Sequence, residues 1–218
     1  MAQAHPIEMV VGLGNPGREY EGTRHNAGFD VLSRVLAKLP GTFEETRRAE
    51  SRCFAGRFRG HRLLLQMPLT YMNDSGDAVA CLARKEGVEP AAIMVVSDDL
   101  DLPPGRLRLR RGGASGGHHG IESVIAQLQS ADFLRLKVGI GHVDKHATVD
   151  HVLTGFTGEE SEIYQAALDA AADAVVEVLA AGEARAMNKF NAFNAAEKPE
   201  EETQTTAPEA PATKEVLS

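Results

Sequence analysis

The sequence predicts an α/β protein, built as a single-domain three-layer α/β/α sandwich around a mixed twisted β-sheet. Short apolar runs of strand length alternate with amphipathic stretches of helical period, which is typical of an α/β fold. A hairpin pattern at residues 53–67 interrupts this alternation and indicates antiparallel as well as parallel strands. With 218 residues, 43% of them hydrophobic, the chain is long enough to bury one substantial core.

A long glycine-rich loop separates the first predicted strand from the first predicted helix. Residues 7–11 are apolar at four of five positions, as expected of a buried strand. The helix is predicted to begin at about residues 26–28, and its apolar side chains recur at helical spacing as far as Leu39. The loop between them exceeds the usual ~2–6 residues of such a connection. Long polar loops at strand ends are where α/β proteins commonly place their chemistry.

The middle of the chain predicts a hairpin, a helix and a further buried strand. Residues 40–51 are polar and are predicted to form a loop. The elements predicted next are strands at residues 53–58 and 63–67 around a turn at Gly60-His61, a helix from about Ser75 to Glu86, and a strand at residues 92–97. Asp98, Asp99 and Asp101 follow this strand, and we expect them to face a cleft or solvent because burying acids without partners is costly.

The second half of the chain adds a basic strand and further helices. Residues 106–110 alternate arginine and leucine, which predicts a strand with one basic face. A glycine-rich loop at residues 112–120 leads into the next helix. The remaining predicted elements are helices at residues 121–128, 159–181 and 184–193, and a strand at residues 133–140.

Charge and composition divide the chain into a domain at residues 1–194 and a tail at residues 195–218. The net charge is −8, and residues 197–218 carry six glutamates against two lysines. This tail is rich in Pro, Glu, Thr and Ala and is predicted to be disordered. No apolar run approaches the ~18 residues of a membrane span, and the N-terminus lacks the features of a secretory signal. We therefore expect a cytoplasmic protein without membrane contact.

Residues 12–17 match the dinucleotide-binding pattern GxGxxG, but their context disfavours that function. In a dinucleotide-binding fold the helix begins within the motif, so that its amides face the pyrophosphate. Here Pro16 and Gly22 delay the helix, and no acidic residue is evident at the end of a second strand. Some of these glycines are expected to form a tight turn. Neither interpretation explains the triplet Arg24-His25-Asn26.

Four loops with reactive groups follow predicted strands and are expected to converge in one crevice. These loops span residues 15–26, 71–73, 98–101 and 116–120. His25 is a candidate general base, because a carboxylate that holds one imidazole nitrogen leaves the other free to take a proton from water. Asn15 and Asn73 offer amide donors suited to a carbonyl or its oxyanion.

Other catalytic chemistries find less support. A metal site could use His25, His118, His119 and an aspartate, but no pair has a diagnostic spacing. The two cysteines form no CxxC motif and are expected to be free thiols. We therefore predict neither a metal nor a cofactor.

Five motifs together resemble the bacterial peptidyl-tRNA hydrolase family in order and spacing. They are GLGNPGxxYxxTRHNxGF (12–29), PLTYMNDSG (68–76), DDLDLPPGRLRLR (98–110), GGHHG (116–120) and FLRLKVGIG (133–141). The resemblance covers about residues 7–193. It implies hydrolysis of the ester joining a peptide to the terminal ribose of tRNA, which recycles the tRNA for translation. It also implies a monomeric, metal-free enzyme that binds the 3′ end and acceptor stem of peptidyl-tRNA.

The resemblance implies roles for four residues around the scissile ester. His25 is the implied general base, and Asp98 orients it and stabilises its basic form. Asn15 is implied to sense the first peptide bond and so to help reject free aminoacyl-tRNA. Asn73 is implied to bind the substrate near the ester and to help position the water or the oxyanion.

Further residues are implied in binding the nucleic acid. Tyr20 and Tyr71 are expected to line the cleft beside the 3′ end. Arg108, Arg110 and Arg135 are expected to contact tRNA phosphates, which would make binding dependent on salt.

One residue departs from the family pattern. His119 replaces the asparagine that helps bind substrate and position water in the usual GGHNG. Histidine can still donate a hydrogen bond, but it is bulkier, and an unperturbed imidazole titrates with a pKa of ~6.5. Our hypothesis is that His119 keeps a substrate-binding role and makes activity fall more steeply below neutral pH. The same departure leaves a non-catalytic RNA-binding relative as the main alternative, and His142 in GIGH has no assigned role.

Overall fold

The centre of the molecule is a seven-stranded mixed β-sheet in the computed structural model, which describes residues 6–141 and 152–197. The strands are β1 (Met9–Gly12), β2 (Glu44–Arg48), β3 (Ser51–Phe58), β4 (His61–Pro68), β5 (Ile93–Asp99), β6 (Leu107–Arg111) and β7 (Leu134–Gly139). Their order across the sheet is β2-β3-β4-β1-β5-β7-β6. The four central strands β4, β1, β5 and β7 run parallel, whereas β2, β3 and β6 pair antiparallel with their neighbours. The predicted mixed sheet is confirmed.

Helices cover both faces of the sheet. They are α1 (Ala27–Lys38), α2 (Ser75–Glu86), α3 (His119–Leu128), α4 (Glu159–Ala181) and α5 (Glu183–Phe190). Helices α1, α4 and α5 pack in one apolar cluster, and α2 and α3 pack in another on the opposite face. The predicted three-layer α/β/α arrangement is therefore confirmed. Within the described residues, no helix is both long and apolar enough to cross a membrane.

Glycines bring the start of α1 into direct contact with β1. A β-carbon on Gly12 would lie 2.3 Å from the carbonyl oxygen of Gly28, and one on Gly28 would lie 2.3 Å from the amide of Leu13. These separations leave room only for hydrogen. The GxGxxG glycine at position 12 thus serves helix–strand packing, and α1 begins well beyond the motif, at Ala27.

The predicted loop at residues 40–51 is wrong, because it contains strand β2. Its residues pair antiparallel with β3, and the side chains of Glu45 and Arg52 form an ion pair across the two strands. As the edge strand of the sheet, β2 has exposed or half-buried side chains throughout. It therefore lacks the apolar alternation by which strands are recognised in a sequence.

The chain beyond α4 covers the opposite edge of the sheet. The side chain of Asn191 accepts a hydrogen bond from the amide of Leu109 and donates one to its carbonyl, and Arg106 bridges to Asn194. These bonds satisfy backbone groups that an edge strand leaves open. The tail predicted from residue 195 lies outside the described residues, apart from 195–197, and so does His142.

Candidate active site

Two buried polar side chains join the four loops that the sequence predicts to converge. Asp98, near the end of β5, contacts histidines from the loop before α1 and from the start of α3. Asn15, after β1, contacts Asn26 and the backbone of Met72. Each of the four loops thus meets another at one of these two residues.

Asp98 is the acceptor for two imidazole rings. His25 Nδ1 lies 2.8 Å and His118 Nε2 lies 3.1 Å from the same oxygen, Oδ1 of Asp98. Because an ionised carboxylate only accepts hydrogen bonds, both of these nitrogens carry a proton. His25 Nε2 is then the basic nitrogen, and it has no hydrogen-bond partner among the described residues.

The charges of this group keep Asp98 ionised. Burial alone would raise the pKa of Asp98, which is 3% exposed, but the two histidines hold it well below its usual range. Burial lowers the pKa of His25, and the charge and hydrogen bond of Asp98 outweigh that effect, so the net shift is upward. The arrangement gives a histidine that binds a proton readily when one is offered.

His118 is the residue of this group that the sequence did not single out for catalysis. Its Nδ1 accepts hydrogen bonds from the amides of Gly120 (3.1 Å) and Ile121 (3.3 Å), so its side chain caps α3. The only sequence signal was a pair of adjacent histidines in GGHHG, which does not indicate which one turns inward.

The same three side chains lie close enough together to be considered as a metal site. One ligand atom from each of His25, Asp98 and His118 lies within 4.8 Å of the others. Both ring nitrogens of His118 are engaged, however: Nε2 donates to Asp98, and the Nδ1 lone pair accepts two amides. A metal would have to displace these bonds, so hydrogen bonding accounts for the cluster better than metal coordination.

Asn15 is fixed by its neighbours in one orientation. Its backbone amide donates to Asn26 Oδ1 (2.8 Å), and Asn26 Nδ2 donates back to its carbonyl (3.1 Å). Its side-chain oxygen accepts from the amide of Met72 (2.9 Å). The side-chain Nδ2 has no acceptor in the part of the chain that the structure describes, and it is the group left to donate to a ligand.

Arg24 ties the His25 loop to the segment before α4. The guanidinium donates to Thr154 Oγ1 (2.6 Å) and to the carbonyl of Gly155 (2.9 Å). It also pairs with Glu160 at 3.4 Å and stacks 4.0 Å above the ring of Phe156. The triplet Arg24-His25-Asn26 is thus explained: its outer members anchor the loop on two sides of His25.

A cavity of about 240 Å³ opens beside His25. His118 and His119 line it on one side, and Leu100, Val152 and Leu153 supply an apolar wall. The volume is below the ~300–1,000 Å³ of pockets that enclose a whole small ligand. It therefore suits one end of a larger molecule.

Of the other predicted substrate-binding residues, His119 lines this cavity, whereas Tyr20, Tyr71 and Asn73 do not. His119 is exposed, lines the cavity and lies 3.7 Å from Glu122. Tyr71 is 63% exposed and borders a second cleft, which Pro16 and Leu69 also line, while Asn73 is exposed and donates to Asp74 (3.1 Å). Tyr20 is half-buried in the short 3₁₀ segment after Gly17 and lines neither this cavity nor the second cleft.

A basic surface lies on β6 and β7, on the face of the sheet that is turned away from α1 and α4. Arg108 and Arg110 are exposed on β6, and neither has an ion-pair partner within residues 6–141 and 152–197. Arg108 lies opposite Lys137 of β7, whose ammonium forms an ion pair with Asp99. Lys137 is a cation that sequence reasoning missed, because its position opposite Arg108 depends on the register of the two strands, which alternation does not fix.

Arg135 does not belong to this surface, and its predicted phosphate contact is not compatible with its position. The side chain is 0% exposed, and its two terminal nitrogens donate to the carbonyls of Ala114 (2.7 Å) and Gly113 (2.6 Å). The glycine-rich loop covers it, so Arg135 holds that loop in place.

The acids after β5 face a cleft or solvent, as expected. Asp98 and Asp99 are largely buried in the strand but line the cavity, and Asp101 is exposed. Their burial is tolerated because imidazoles pair with Asp98 and an ammonium pairs with Asp99.

Comparison with known proteins assigns the chain to a family. The family model for peptidyl-tRNA hydrolase matches residues 9–200. The chain belongs to the peptidyl-tRNA hydrolase family. A peptidyl-tRNA hydrolase from Moorella thermoacetica is 49% identical over 187 residues, which cover 85% of this chain and 98% of that protein. One from Dehalococcoides mccartyi is 45% identical over 189 residues, with 85% of this chain and all of that protein covered.

A solved structure of a peptidyl-tRNA hydrolase has the same fold. The crystal structure of the protein from Acinetobacter baumannii matches with a TM-score of 0.82 at 35% identity. The match covers 87% of this chain and 97% of that one. The family resemblance carried by the five sequence motifs is thus confirmed.

Proposed function

We propose that the protein hydrolyses the ester bond between a peptide, or an N-blocked amino acid, and the terminal ribose of tRNA. The observation that carries this proposal is His25, whose Nδ1 is held by Asp98 and whose ring lines the cavity. Membership of the peptidyl-tRNA hydrolase family supports the choice of substrate.

The chemical step uses His25 as a general base and then as a general acid. Nε2 takes a proton from water while the water oxygen attacks the ester carbonyl carbon. The bond from that carbon to the ribose oxygen breaks, and the proton passes from His25 to the departing ribose. Asp98 stabilises the imidazolium between these events, which supports a mechanism that uses protein side chains alone.

Asn15 and Asn73 supply neutral donors to the acyl part of the substrate. Because Asn15 Oδ1 is already bonded to Met72, its Nδ2 is expected to donate to the carbonyl of the first peptide bond. Free aminoacyl-tRNA has no such carbonyl, which would explain its rejection. Asn73 would leave its bond to Asp74 and donate near the scissile ester or to the attacking water. His119, at the mouth of the cavity, would bind the same part of the substrate.

The basic surface supports binding of the tRNA backbone. Arg108 and Arg110 are exposed, and with Lys137 they place three cations beside one another on β6 and β7. We infer that these residues contact phosphates of the acceptor stem, and that Tyr20 and Tyr71 stack near the 3′ end. The protein would act as a monomer in the cytoplasm, where translation uses tRNA, with residues 1–194 as the catalytic domain.

The test is release of an N-acetylated amino acid from tRNA. We expect fast release by the wild type, loss of about 10²–10⁴-fold in His25→Ala, and little action on the unblocked aminoacyl-tRNA. His61→Ala is the matched control, because His61 is exposed at the opposite end of the sheet, and it should keep full activity. Absence of release together with retained tRNA binding would contradict the proposal and favour a non-catalytic RNA-binding protein, the alternative that His119 leaves open.

A further inference from the structure

We propose that His118 is a positioning residue, which holds Asp98 through Nε2 and the start of α3 through Nδ1, and thereby sets the basicity of His25. The inference rests on the proposed function, because His25 is the base of that reaction. His118 itself is not required to touch the substrate or the water.

His118 lies between the His25–Asp98 pair and the start of α3. Its ring lies 5.2 Å from that of His25, at an interplanar angle of 44°, and both rings donate to one oxygen of Asp98. Its other nitrogen accepts the amides of Gly120 and Ile121, the second and third residues of α3. A single side chain therefore links β5, which carries Asp98, to the helix that carries His119.

Because His25 and His118 share one oxygen of Asp98, the stabilisation that Asp98 gives to protonated His25 is reduced. A donor bound to a carboxylate oxygen offsets part of its negative charge, and a second donor must compete for the rest. The Nε2–H group of His118 therefore weakens the attraction between Asp98 and protonated His25. Without it, His25 would hold a proton more tightly and would be a less available base at neutral pH.

Among the residues that the structure describes, His118 and His25 are the titratable side chains that contact Asp98. Tyr164 of α4 is buried nearby, and burial, followed by the charges of Asp30 and Asp98, raises its pKa, so it stays neutral. Asp99 is paired with Lys137 on the opposite face, and Arg24 is paired with Glu160. His119 lines the cavity and lies close to Glu122.

Two substitutions separate the two contacts of His118. Asparagine is among the best N-cap residues, so His118→Asn should keep the bonds to Gly120 and Ile121 but lose the donor to Asp98. Glutamine is a poor N-cap, but its amide nitrogen extends about as far as Nε2 of the imidazole. His118→Gln should therefore keep the donor to Asp98 and lose the cap.

The first readout is titration of the histidine rings by NMR, which requires no substrate. In the wild type, His118 should be the neutral Nε2–H tautomer with an unprotonated Nδ1. In His118→Asn, the titration midpoint of His25 should move up by roughly half a pH unit or more. In His118→Gln, the midpoint should stay at the wild-type value. A protonated Nδ1 on wild-type His118, or an unchanged His25 midpoint in His118→Asn, would overturn the proposal.

The second readout is the pH dependence of kcat/KM on N-acetylaminoacyl-tRNA. The acid limb should move with the His25 midpoint in His118→Asn, and activity should approach that of the wild type at high pH. In His118→Gln, kcat/KM should fall roughly tenfold or more at every pH, because loss of the cap displaces the loop that carries His119. Equal losses in both variants without a shifted limb would reduce His118 to a structural role. If the wild type itself releases nothing, the proposed function fails, while the ring titrations still decide how His118 and Asp98 interact.

Discussion

Asp98 and Asp99 are neighbours in one strand, yet they serve opposite faces of the sheet and opposite purposes. Asp98 points to the face of α1 and α4 and binds two imidazoles. Asp99 points to the other face and pairs with the ammonium of Lys137. An imidazole exchanges its proton near neutral pH, whereas an ammonium keeps it. The partner, rather than the carboxylate itself, therefore decides whether an aspartate supports proton transfer or reduces the positive charge of a surface.

Substitution of each aspartate by asparagine should give the largest contrast. Asp98→Asn removes the acceptor that fixes the His25 tautomer and stabilises its imidazolium, so kcat should fall by roughly 10²–10⁴-fold. Asp99→Asn leaves His25 untouched and releases Lys137, so kcat should change little, and KM should fall at moderate salt. Steady-state kinetics on N-acetylaminoacyl-tRNA measures both. A comparable loss of kcat in the two variants would contradict this division of roles.

The contrast between the two faces could be predicted only in part from the sequence. Alternation of arginine and leucine correctly predicted that Arg108 and Arg110 point outward on β6. The family resemblance placed Arg135 with them, and the register does put it opposite Arg110. Its burial comes from the carbonyls of the glycine-rich loop that folds over it. Such a contact between distant segments leaves no periodic signal.

Other elements also show that periodic patterns could be predicted from the sequence, whereas contacts between distant segments could not. The helix predicted at residues 159–181 was found with those bounds, because its alanines and leucine recur along one buried side. Strand β2 escaped prediction, since a polar edge strand gains its stability from backbone pairing with β3 rather than from an apolar face. The sequence motifs indicated His25 and Asp98 as catalytic residues. They did not show that Asp98 also binds His118, because this contact depends on how the start of α3 packs against β5.

The salt dependence of binding should separate the exposed arginines from the buried one. Arg108→Gln or Arg110→Gln should each reduce the slope of log(kcat/KM) against log[salt] by roughly 0.9, the effect expected for one lost phosphate contact. Arg135→Gln is the matched control: the slope should be retained. The Arg135→Gln substitution should instead lower the free energy of unfolding by about 1–3 kcal/mol, because two buried carbonyls lose their donors. A reduced slope in Arg135→Gln would return that residue to the phosphate surface.

His119, at the mouth of the cavity, is a further titratable side chain whose charge could affect the reaction. Unlike the asparagine usual in the family, an imidazole can gain a positive charge in acid and then lose its capacity to accept. We expect wild-type activity to fall more steeply below neutral pH than that of His119→Asn, in which only His25 would limit the acid limb. The measurement is kcat/KM across that range for both proteins. Identical profiles would show that the charge on His119 does not affect the reaction.

Asp30 is a third carboxylate, which is only partly buried, and its substitution is expected to have the smallest effect of those considered. Burial raises its pKa to about 6, and the charge of Arg34 only partly opposes this shift. Because this value lies above the ~3.9 of an unfolded chain, the favourable contribution of protonated Asp30 is fully present below pH ~4 and is lost as pH rises through about 6. Asp98 has the opposite sign, since its lowered pKa stabilises the fold above the unfolded value and this gain is lost in acid.

Asp30→Asn should therefore stabilise the protein only where the carboxylate is ionised. At pH 8 the gain should be on the order of 1 kcal/mol, reduced from the full effect of the pKa shift because the side chain is only partly buried. In a chain of this size that corresponds to roughly 2–4 °C in Tm. The gain should shrink to nothing near pH 4, where both side chains are neutral. Thermal unfolding of the two proteins at several pH values measures this difference, and a gain that persists at pH 4 would mean that it comes from something other than the buried charge.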